Sequence, residues 1–361
     1  MAKVKVGLLF GGRSVEHEVS IASAASIFRA LDPTRYDVSL VAIDQHGRWH
    51  LAPPALPPQG EISGPEVRLP AWPGDGHLLN SSDASLAAEL DVIFPIVHGR
   101  GGEDGSLQGL LELANMAYVG SGVLGSSVQM DKEISKRLLR VAGLPVLPWV
   151  VVRSAELSRG MDAVIRRVEA EIGLPAFVKP ANLGSSVGIS RATDGDSLRA
   201  GLVEAARYDT KIVVECGIAA RDVEVALLGD DPVEASIAGE ICTQREFYDY
   251  EAKYVDEETE LLVPAPVSDD VMADLQQTAI GAFKALEGEG LGRVDFLIDR
   301  ETGEFFVNEV NSLPGFTDGS MYPRLWEASG LSYPALLDRL IELALTRHRK
   351  RSALETQYRR Q

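Results

Sequence analysis

The first third of the chain alternates short apolar runs with segments of helical spacing. Runs at 5–10, 38–43 and 92–97 are typical of buried strands, and the apolar residues between and after them recur every three or four positions, as on one helix face. Glycine-rich turns directly follow the first and third runs. This order predicts a small doubly wound α/β domain with a parallel sheet, residues 1–123. The proline-rich segment 53–73 is expected to be an irregular surface loop.

A second unit is predicted to begin with a helix near residue 131. Asp131 has a side chain that commonly caps a helix, and Ile134, Leu138 and Val141 share one face until Gly143 ends the helix. Three later segments have regular patterns: strands at 177–180 and 212–218, and a helix at 271–286.

Two β-rich runs near the C-terminus predict a hairpin. They are 294–298 and 305–310, and Glu301-Thr302-Gly303 between them fits a three-residue loop with a left-handed glycine. This loop would place Arg300 opposite Glu304, and the pairs further along the hairpin follow by counting.

The counting brings three polar side chains together on one face of the hairpin. Asp295 pairs with Glu309, and Asn311 lies on the same face because strand side chains repeat every second residue. The acids alternate with apolar residues of a buried face, namely Val294, Phe296, Phe306 and Val310. Opposed carboxylates repel unless a cation lies between them, and oxygen ligands suit Mg²⁺. The alternative is an exposed hairpin whose acids face water.

Lys132 and Lys179 are candidates for binding an anion. Lys132 lies in the first turn of its predicted helix, where a cation is mildly unfavourable unless an anion is near. Lys179 ends an apolar strand and is followed by the loop 182–188, whose glycines let backbone amides approach a phosphate. A flexible hairpin tip is the alternative interpretation of this loop.

Three further features could contribute to a site. Glu16, in the first glycine-rich turn, could hold a cation, although the residues alone favour a carboxylate that interacts with the helix dipole. The strand at 212–218 runs into a hinge whose backbone could bind an adenine. The segment 242–264 is too aromatic for a plain linker and is expected to form an active-site lid.

Composition limits the class of protein. The 361 residues are 45% apolar, as in a globular protein of two or three domains. The net charge of −18 argues against binding to nucleic acid or an anionic membrane. No apolar run reaches the roughly 20 residues of a membrane span, and the N-terminus does not resemble a signal peptide, so a cytoplasmic location is expected. Two cysteines, Cys216 and Cys242, are too few for a disulfide framework or a thiolate metal site.

Seven motifs together resemble the ATP-grasp enzymes, and among these the D-alanine:D-alanine ligase family. They follow the family's order over nearly the whole chain: 11–20, 98–109, 130–132, 178–187, 248–254, 292–295 and 308–317. Each is weak alone, and the set is specific. The resemblance implies a two-part ATP-grasp fold after the N-terminal domain. Its central subdomain would be 124–211 and its C-terminal subdomain 212–361, with ATP between them.

The resemblance also implies roles for individual residues. Those implied for ATP are Lys132, Lys179 and Ser186 at the phosphates, Glu215 and Ile218 at the adenine, Asp222 at the ribose, and Phe247 and Lys253 in the lid. Those implied for two Mg²⁺, which Mn²⁺ can replace, are Asp295, Glu309 and Asn311. Those implied for catalysis are Glu16, Ser185, Tyr254, Arg293 and the amide of Gly315. Those implied for the two D-alanines are Glu16, His98, Lys253, Ser320 and Met321. Asp222 is one methylene shorter than the glutamate common in the family, which puts the ribose contact in question.

The activity implied is phosphorylation of one D-alanine by ATP, followed by attack of the second D-alanine's amine. A homodimer is expected from the resemblance. Two alternatives stay open: a ligase that joins D-alanine to a hydroxy acid or another amino acid, and a nucleotide-binding regulator without turnover. Tyr254 discriminates the first, because ester-forming relatives lack the Glu251-Ala252-Lys253-Tyr254 sequence. The intact set Arg293, Asp295, Glu309 and Asn311 argues against the second.

Overall fold

The structure is a computed structural model that describes residues 2–53, 62–73, 76–242 and 260–355. The elements of the first third are β1 (Val4–Gly11), α1 (His17–Ala30), β2 (Tyr36–Ile43), β3 (Trp49–Leu51), β4 (Glu66–Arg68), β5 (His77–Asn80), β6 (Leu86–Glu89), β7 (Val92–Ile96), α2 (Ser106–Leu113), β8 (Ala117–Tyr118) and α3 (Val123–Met130). The strands form one sheet in the order β6-β5-β4-β3-β2-β1-β7-β8.

Half of this sheet is parallel and half is antiparallel. Strands β2, β1, β7 and β8 pair in parallel, as the apolar runs predict, and β3 to β6 extend the sheet as an antiparallel meander. The expectation of an irregular loop over 53–73 is wrong in one part, because β4 lies within that segment. Val67, which lies between two charged residues, is 2% exposed, and β4 pairs with β3 on one side and with β5 on the other.

The middle of the chain forms a four-stranded antiparallel sheet. Its elements are α4 (Lys132–Val141), β9 (Trp149–Arg153), α5 (Ser154–Glu171), β10 (Ala176–Pro180), β11 (Ser190–Ala192), α6 (Gly195–Ala205) and β12 (Lys211–Cys216). The strand order is β11-β10-β12-β9. Helices α5 and α6 pack together on one face, which leaves the other face for the cleft described below. The predicted boundary at residue 212 falls inside β12.

The last third forms a five-stranded antiparallel sheet. Its elements are β13 (Ala220–Leu228), β14 (Glu234–Cys242), β15 (Glu260–Leu262), α7 (Asp269–Ala285), β16 (Leu291–Asp299), β17 (Phe305–Asn311), α8 (Met321–Ala328) and α9 (Tyr333–Ser352). The strand order is β15-β14-β13-β16-β17. Within the described ranges, no helix is long and apolar enough to cross a bilayer.

The hairpin β16–β17 pairs Asp295 with Glu309, as predicted, but its turn differs from the predicted one and a bulge restores the register. Asp299 and Glu304 close the turn through a 2.8 Å backbone hydrogen bond, so the predicted three-residue loop with Arg300 opposite Glu304 is wrong. A β-bulge at Asn308 then adds one residue to β17 and restores the predicted pair.

The bulge also changes which residues of β17 are buried. Val307 is fully buried with Val294 and Phe296, whereas Phe306, predicted to lie on that face, is only half-buried. The predicted left-handed glycine is confirmed, since Gly303 has a φ of +73°.

Helix α4 has the predicted cap but buries a different face. The Asp131 side chain accepts hydrogen bonds from the amides of Glu133 and Ile134, at 3.2 and 3.1 Å. The face of Leu138 and Val141 is exposed, Val141 by 87%. The buried face carries Lys132, Glu133, Ser135, Lys136 and Leu139. Polar residues lie inside because this face meets charged partners of the four-stranded sheet.

The largest core joins the two ends of the chain. Residues of β1, β2, β7 and α1 pack with Leu336, Leu337, Leu340, Ile341 and Ala344 of α9 and with Tyr322 of α8. Helix α9 therefore completes the core of the first sheet rather than belonging only to the third.

Candidate active site

A cleft lies between the four-stranded and five-stranded sheets. Its walls come from β10, β12 and the loop 182–188 on one side, and from β13, β16 and β17 on the other. Nine of the predicted site residues line it: Lys132, Lys179, Ser185, Ser186, Glu215, Ile218, Asp222, Asp295 and Glu309. The sheets bring together residues that lie up to 177 positions apart in sequence (309 − 132).

Lys179 and Glu215 form a buried pair on the floor of the cleft. The Lys179 ammonium donates to Glu215 Oε2 at 2.7 Å and to Asn308 Oδ1 at 3.2 Å. Lys136 approaches the other oxygen of Glu215 at 3.3 Å. Burial raises the pKa of Glu215, but the two ammonium groups outweigh burial and hold that pKa below its ordinary value. The carboxylate is therefore ionised although it is only 1% exposed.

Lys132 reaches from the start of α4 across the cleft. Its ammonium donates to the carbonyl oxygen of Leu183 at 2.9 Å and lies 3.3 Å from Glu309 Oε2. Ser185 and Ser186, in the loop beside it, have φ values of +51° and +56°. Left-handed backbone of this kind turns successive amides toward one point, as in anion-binding loops.

Asp295 is held by its neighbours on the hairpin. Arg293 donates to both oxygens of Asp295, at 2.7 and 2.8 Å, and Asn311 Nδ2 donates to Asp295 Oδ2 at 2.8 Å. Arg293 Nε also lies 3.0 Å from Glu224 Oε2. Burial alone would lower the pKa of Arg293, but Asp295 and Glu224 raise it well above its ordinary value. The guanidinium is a permanent cation, and the Arg293 side chain is partly buried.

The predicted metal residues have the chemistry of a partial Mg²⁺ site. Within the described part of the chain no three His, Cys, Asp or Glu residues are grouped to hold a metal. The set consists of two carboxylates and one amide, Asp295, Glu309 and Asn311. Mg²⁺ commonly binds through one or two carboxylates and takes its other ligands from water and substrate phosphate. The donor set fits an ion that arrives with a phosphate ligand.

The first domain contributes Glu16 to the same region. Glu16 is 8% exposed and accepts a hydrogen bond from the Ser185 hydroxyl, which links the first glycine-rich turn to the loop 182–188. His98 is buried near it; burial lowers the pKa of His98, although Glu16 opposes the shift. The imidazole is therefore neutral at pH 7.

Two predicted substrate residues, Ser320 and Met321, and the predicted catalytic Gly315 lie after β17, outside the lining of the cleft. The Ser320 hydroxyl accepts from the amide of Thr317 at 2.9 Å, and a Cβ placed on Gly315 would lie 2.9 Å from that hydroxyl. Met321 is 4% exposed and belongs to the hydrophobic core. Phe247, Lys253 and Tyr254 lie outside the described residues.

Sequence reasoning missed Lys136, Glu103 and Glu224. Lys136 follows Lys132 by one helical turn, a spacing that places both on one face and could have indicated it. Glu103 accepts from the amide of Gly99 at 2.5 Å. Burial first, and then Glu16, raise the pKa of Glu103 well above its ordinary range. Nothing in its local sequence indicates this environment.

Comparison with known proteins identifies the family. A family model described as "D-ala D-ala ligase N-terminus" matches residues 5–121, and one described as "D-ala D-ala ligase C-terminus" matches residues 138–342. The chain belongs to the D-alanine–D-alanine ligase family. The D-alanine–D-alanine ligase of Heliobacterium modesticaldum is 46% identical over 361 residues, with 99% of each chain covered.

Solved structures of this family have the same fold. The D-alanine–D-alanine ligase from Coxiella burnetii matches with a TM-score of 0.86 and 36% identity, covering 98% of this chain and 97% of that one. The VanG D-Ala:D-Ser ligase from Enterococcus faecalis matches with a TM-score of 0.83 and 31% identity, covering 95% and 100%. The predicted fold class, an N-terminal α/β domain followed by an ATP-grasp fold, is confirmed.

Proposed function

We propose that this chain is an ADP-forming ligase that joins two D-alanines at the expense of ATP, for peptidoglycan synthesis. Full-length similarity to D-alanine–D-alanine ligases supports the reaction. The carrying observation is the cleft, where Lys132 and Lys179 each lie against a carboxylate and the lining carboxylate Asp295 is paired with Arg293. Such a set can neutralise a polyphosphate and orient a metal at the same time.

Within the proposal, ATP lies between the two antiparallel sheets. Lys132, Lys179 and Ser186 bind its phosphates, and the hinge after β12 binds its base through Glu215 and Ile218. Asp222 faces the ribose. The lid residues Phe247 and Lys253 belong to the same proposal.

Asp295, Glu309 and Asn311 would hold Mg²⁺, two ions in the full complex, which Mn²⁺ can replace. The ion would neutralise charge on the phosphates during transfer. Asp295 must then exchange part of its contact with Arg293 for the metal, which frees the guanidinium to face a developing oxyanion.

The protein's own groups position two D-alanines. Glu16 accepts from the ammonium of the first, with Ser185 and Tyr254 completing that contact. Ser320 and Lys253 hold the carboxylate of the second, and His98 and Met321 are the further residues proposed to bind the D-alanines. A carboxylate oxygen of the first D-alanine attacks the γ-phosphorus, and ADP leaves. The amine of the second, having lost its proton, attacks the acyl carbon, and phosphate leaves. Arg293 and the amide of Gly315 stabilise the oxyanion between these events.

Phosphate release from ATP, measured with and without D-alanine, tests the activity. We expect release to depend on D-alanine and on a divalent ion, with D-alanyl-D-alanine as the product by mass spectrometry. Release that is independent of D-alanine, or nucleotide binding without release, would contradict the proposal and favour a regulator.

A second acceptor is a real alternative, because a D-Ala:D-Ser ligase has the same fold. Competition of D-alanine with D-serine and D-lactate across pH 6 to 9 separates the acceptors. We expect the dipeptide of D-alanine, and we expect Tyr254→His to shift product toward the ester as pH falls, because a histidine becomes cationic near neutrality. If the unmodified enzyme formed substantial ester, the hypothesis that Tyr254 determines selectivity would be contradicted.

The proposal includes a cytoplasmic homodimer, since ATP is a cytoplasmic substrate and the family resemblance implies two-fold assembly. Sedimentation analysis of the purified protein tests this part separately.

A further inference from the structure

Lys136 is a buried cation that the proposed reaction does not use. It is 1% exposed and is among the largest fully buried side chains of the described residues. Its ammonium lies 3.3 Å from Glu215 Oε1 and 6.0 Å from the centre of the Trp149 ring. Placing an ammonium in such a site is costly unless a partner compensates. Glu215 is that partner.

The two oxygens of Glu215 are shared between two lysines. Lys179 holds Oε2 at 2.7 Å, and Lys136 lies at Oε1. The lysines differ in their surroundings: Lys179 lines the cleft and has a second acceptor in Asn308, whereas Lys136 lies behind the carboxylate and does not line the cleft. Only Lys179 is placed to turn toward a ligand.

Binding of a nucleotide would change how the two lysines share Glu215. If Lys179 moves to a phosphate, as the proposed function requires, Glu215 loses its closer cation. An isolated buried carboxylate would then tend to take up a proton or move. Lys136 would prevent both, because it contacts Glu215 from outside the lining of the cleft and a ligand in the cleft does not compete for it.

We infer that Lys136 is a positioning residue that keeps Glu215 ionised and fixed as the acceptor for the exocyclic amine of an adenine base. A carboxylate can only accept hydrogen bonds, so it favours the 6-amino group of adenine and disfavours the 6-oxo group of guanine. Lys136 would thus set the base selectivity of the site without touching the nucleotide. This inference rests on the proposed function, since it assumes ATP in this cleft.

The test compares Lys136→Met with the wild type, with ATP and GTP each titrated in the presence of Mg²⁺ and D-alanine. Methionine keeps the length and apolar stem of lysine and removes its charge. We expect KM for ATP to rise about 10-fold or more, because the charge-assisted hydrogen bond from the adenine amine to Glu215 would be weakened or lost. The preference for ATP over GTP should fall, with a smaller change in kcat. Lys136→Arg, which keeps the charge, should retain more of the preference than Lys136→Met.

Two controls separate positioning from damage to the fold. Arg140 lies on the same helix with its guanidinium 3.8 Å from the centre of the Trp149 ring, so Arg140→Met removes a cation from the same helix and should keep the wild-type preference. In a Glu215→Gln background, Lys136→Met should change the base preference little further, because the Glu215 carboxylate that Lys136 stabilises is already absent. Should Lys136→Met not fold, as judged by thermal unfolding, Lys136→Gln takes its place with the same expected fall in preference.

The outcomes distinguish this inference from the proposed function. Wild-type protein that neither binds nor cleaves ATP contradicts the function itself. An active wild type with a folded Lys136→Met variant of unchanged preference for ATP over GTP overturns the role of Lys136 alone. An equal loss of preference in Arg140→Met would also overturn it, because the cause would then be helix packing.

Discussion

At the scale of single residues, three predicted site cations within the described residues are each paired with a carboxylate. Lys132 lies against Glu309, Lys179 against Glu215 and Arg293 against Asp295. The pairs hold the side chains in place without a ligand, and in the proposed reaction they would be exchanged when phosphate and metal enter. Their energies therefore act on ligand binding more than on folding.

Glu309→Gln should abolish turnover and leave the fold intact. The change removes one of the two carboxylates of the proposed metal site, where Mg²⁺ would take its other ligands from phosphate and water. Product formation at several Mg²⁺ concentrations checks this, with Glu304→Gln as a matched control on an exposed position of the same hairpin. If Glu309→Gln kept the turnover of the wild type at ordinary Mg²⁺ concentrations, the assignment of the metal site to this hairpin would be wrong.

Arg293→Ala should lower kcat by about 10²–10³-fold with a smaller effect on ATP affinity, the usual result of removing one preorganised oxyanion donor. Because the change removes the cation that pairs with Glu224 and Asp295, unfolding must be measured beside activity. Arg300→Ala, at an exposed arginine just after the same strand, is the control. A collapse of ATP affinity with kcat spared would make Arg293 a phosphate clamp instead.

The sequence patterns identified individual site residues, but they did not indicate which of these residues contact one another. The strand-end position of Lys179 and the glycine-rich loop after it were visible locally. The partnership of Lys179 with Glu215 was not, because it joins strands 36 positions apart. The raised pKa of Glu103 depends on burial against Glu16 and Glu309 from other elements, which no local pattern encodes.

Secondary-structure elements set the directions of these side chains. The hairpin shows how a correct pair can arise from a wrong turn: the turn closes one residue earlier than predicted, and the bulge at Asn308 compensates. The bulge has a use of its own, because Asn308 lines the cleft and accepts from Lys179. Helix α4 likewise buries Lys136 in place of Leu138, since an ion pair and not apolarity decides which face packs.

Asp131→Ala should destabilise the protein by about 1–2 kcal/mol, because it removes the cap of the helix that carries Lys132 and Lys136. Lys211 also pairs with Asp131 and would lose a partner. Urea unfolding at pH 7 measures the effect, and Ser268→Ala, which removes the cap of α7 alone, provides a comparison.

The same variant should show a pH dependence of known sign. Burial would raise the pKa of Asp131, but Lys211 and the helix amides hold it below the ordinary value of an aspartate. A lowered folded-state pKa gives stability that is fully present above the ordinary pKa and is lost as pH falls through the folded one. The difference between wild type and Asp131→Ala should therefore shrink in acid. A difference that grows toward acid pH would contradict the ion-pair explanation.

The whole molecule is organised by a core that the linear order of domains does not reveal. The pattern of apolar runs separates a first domain at residues 1–123, and the family model for the N-terminus ends at a similar place. Yet the first sheet packs on α9 from the other end of the chain. Tyr36 donates to Asp338 at 2.6 Å, and Arg347 donates to the carbonyl oxygen of Tyr118 at 2.8 Å. Contacts of such sequence separation cannot be read from local periodicity.

A fragment of residues 1–123 should therefore fail to fold alone, although its length is in the range at which many domains do. Without α8 and α9 it would expose the apolar face of β1, β2, β7 and α1 that Leu336, Leu337, Leu340 and Ile341 cover. Surface of that kind favours aggregation or a loosely packed state. Amide NMR spectra and thermal unfolding of the fragment, with the full chain as reference, decide the matter. Dispersed resonances and a cooperative transition in the fragment would show that the sheet and α1 suffice as a core, and that α9 only docks onto a domain already formed.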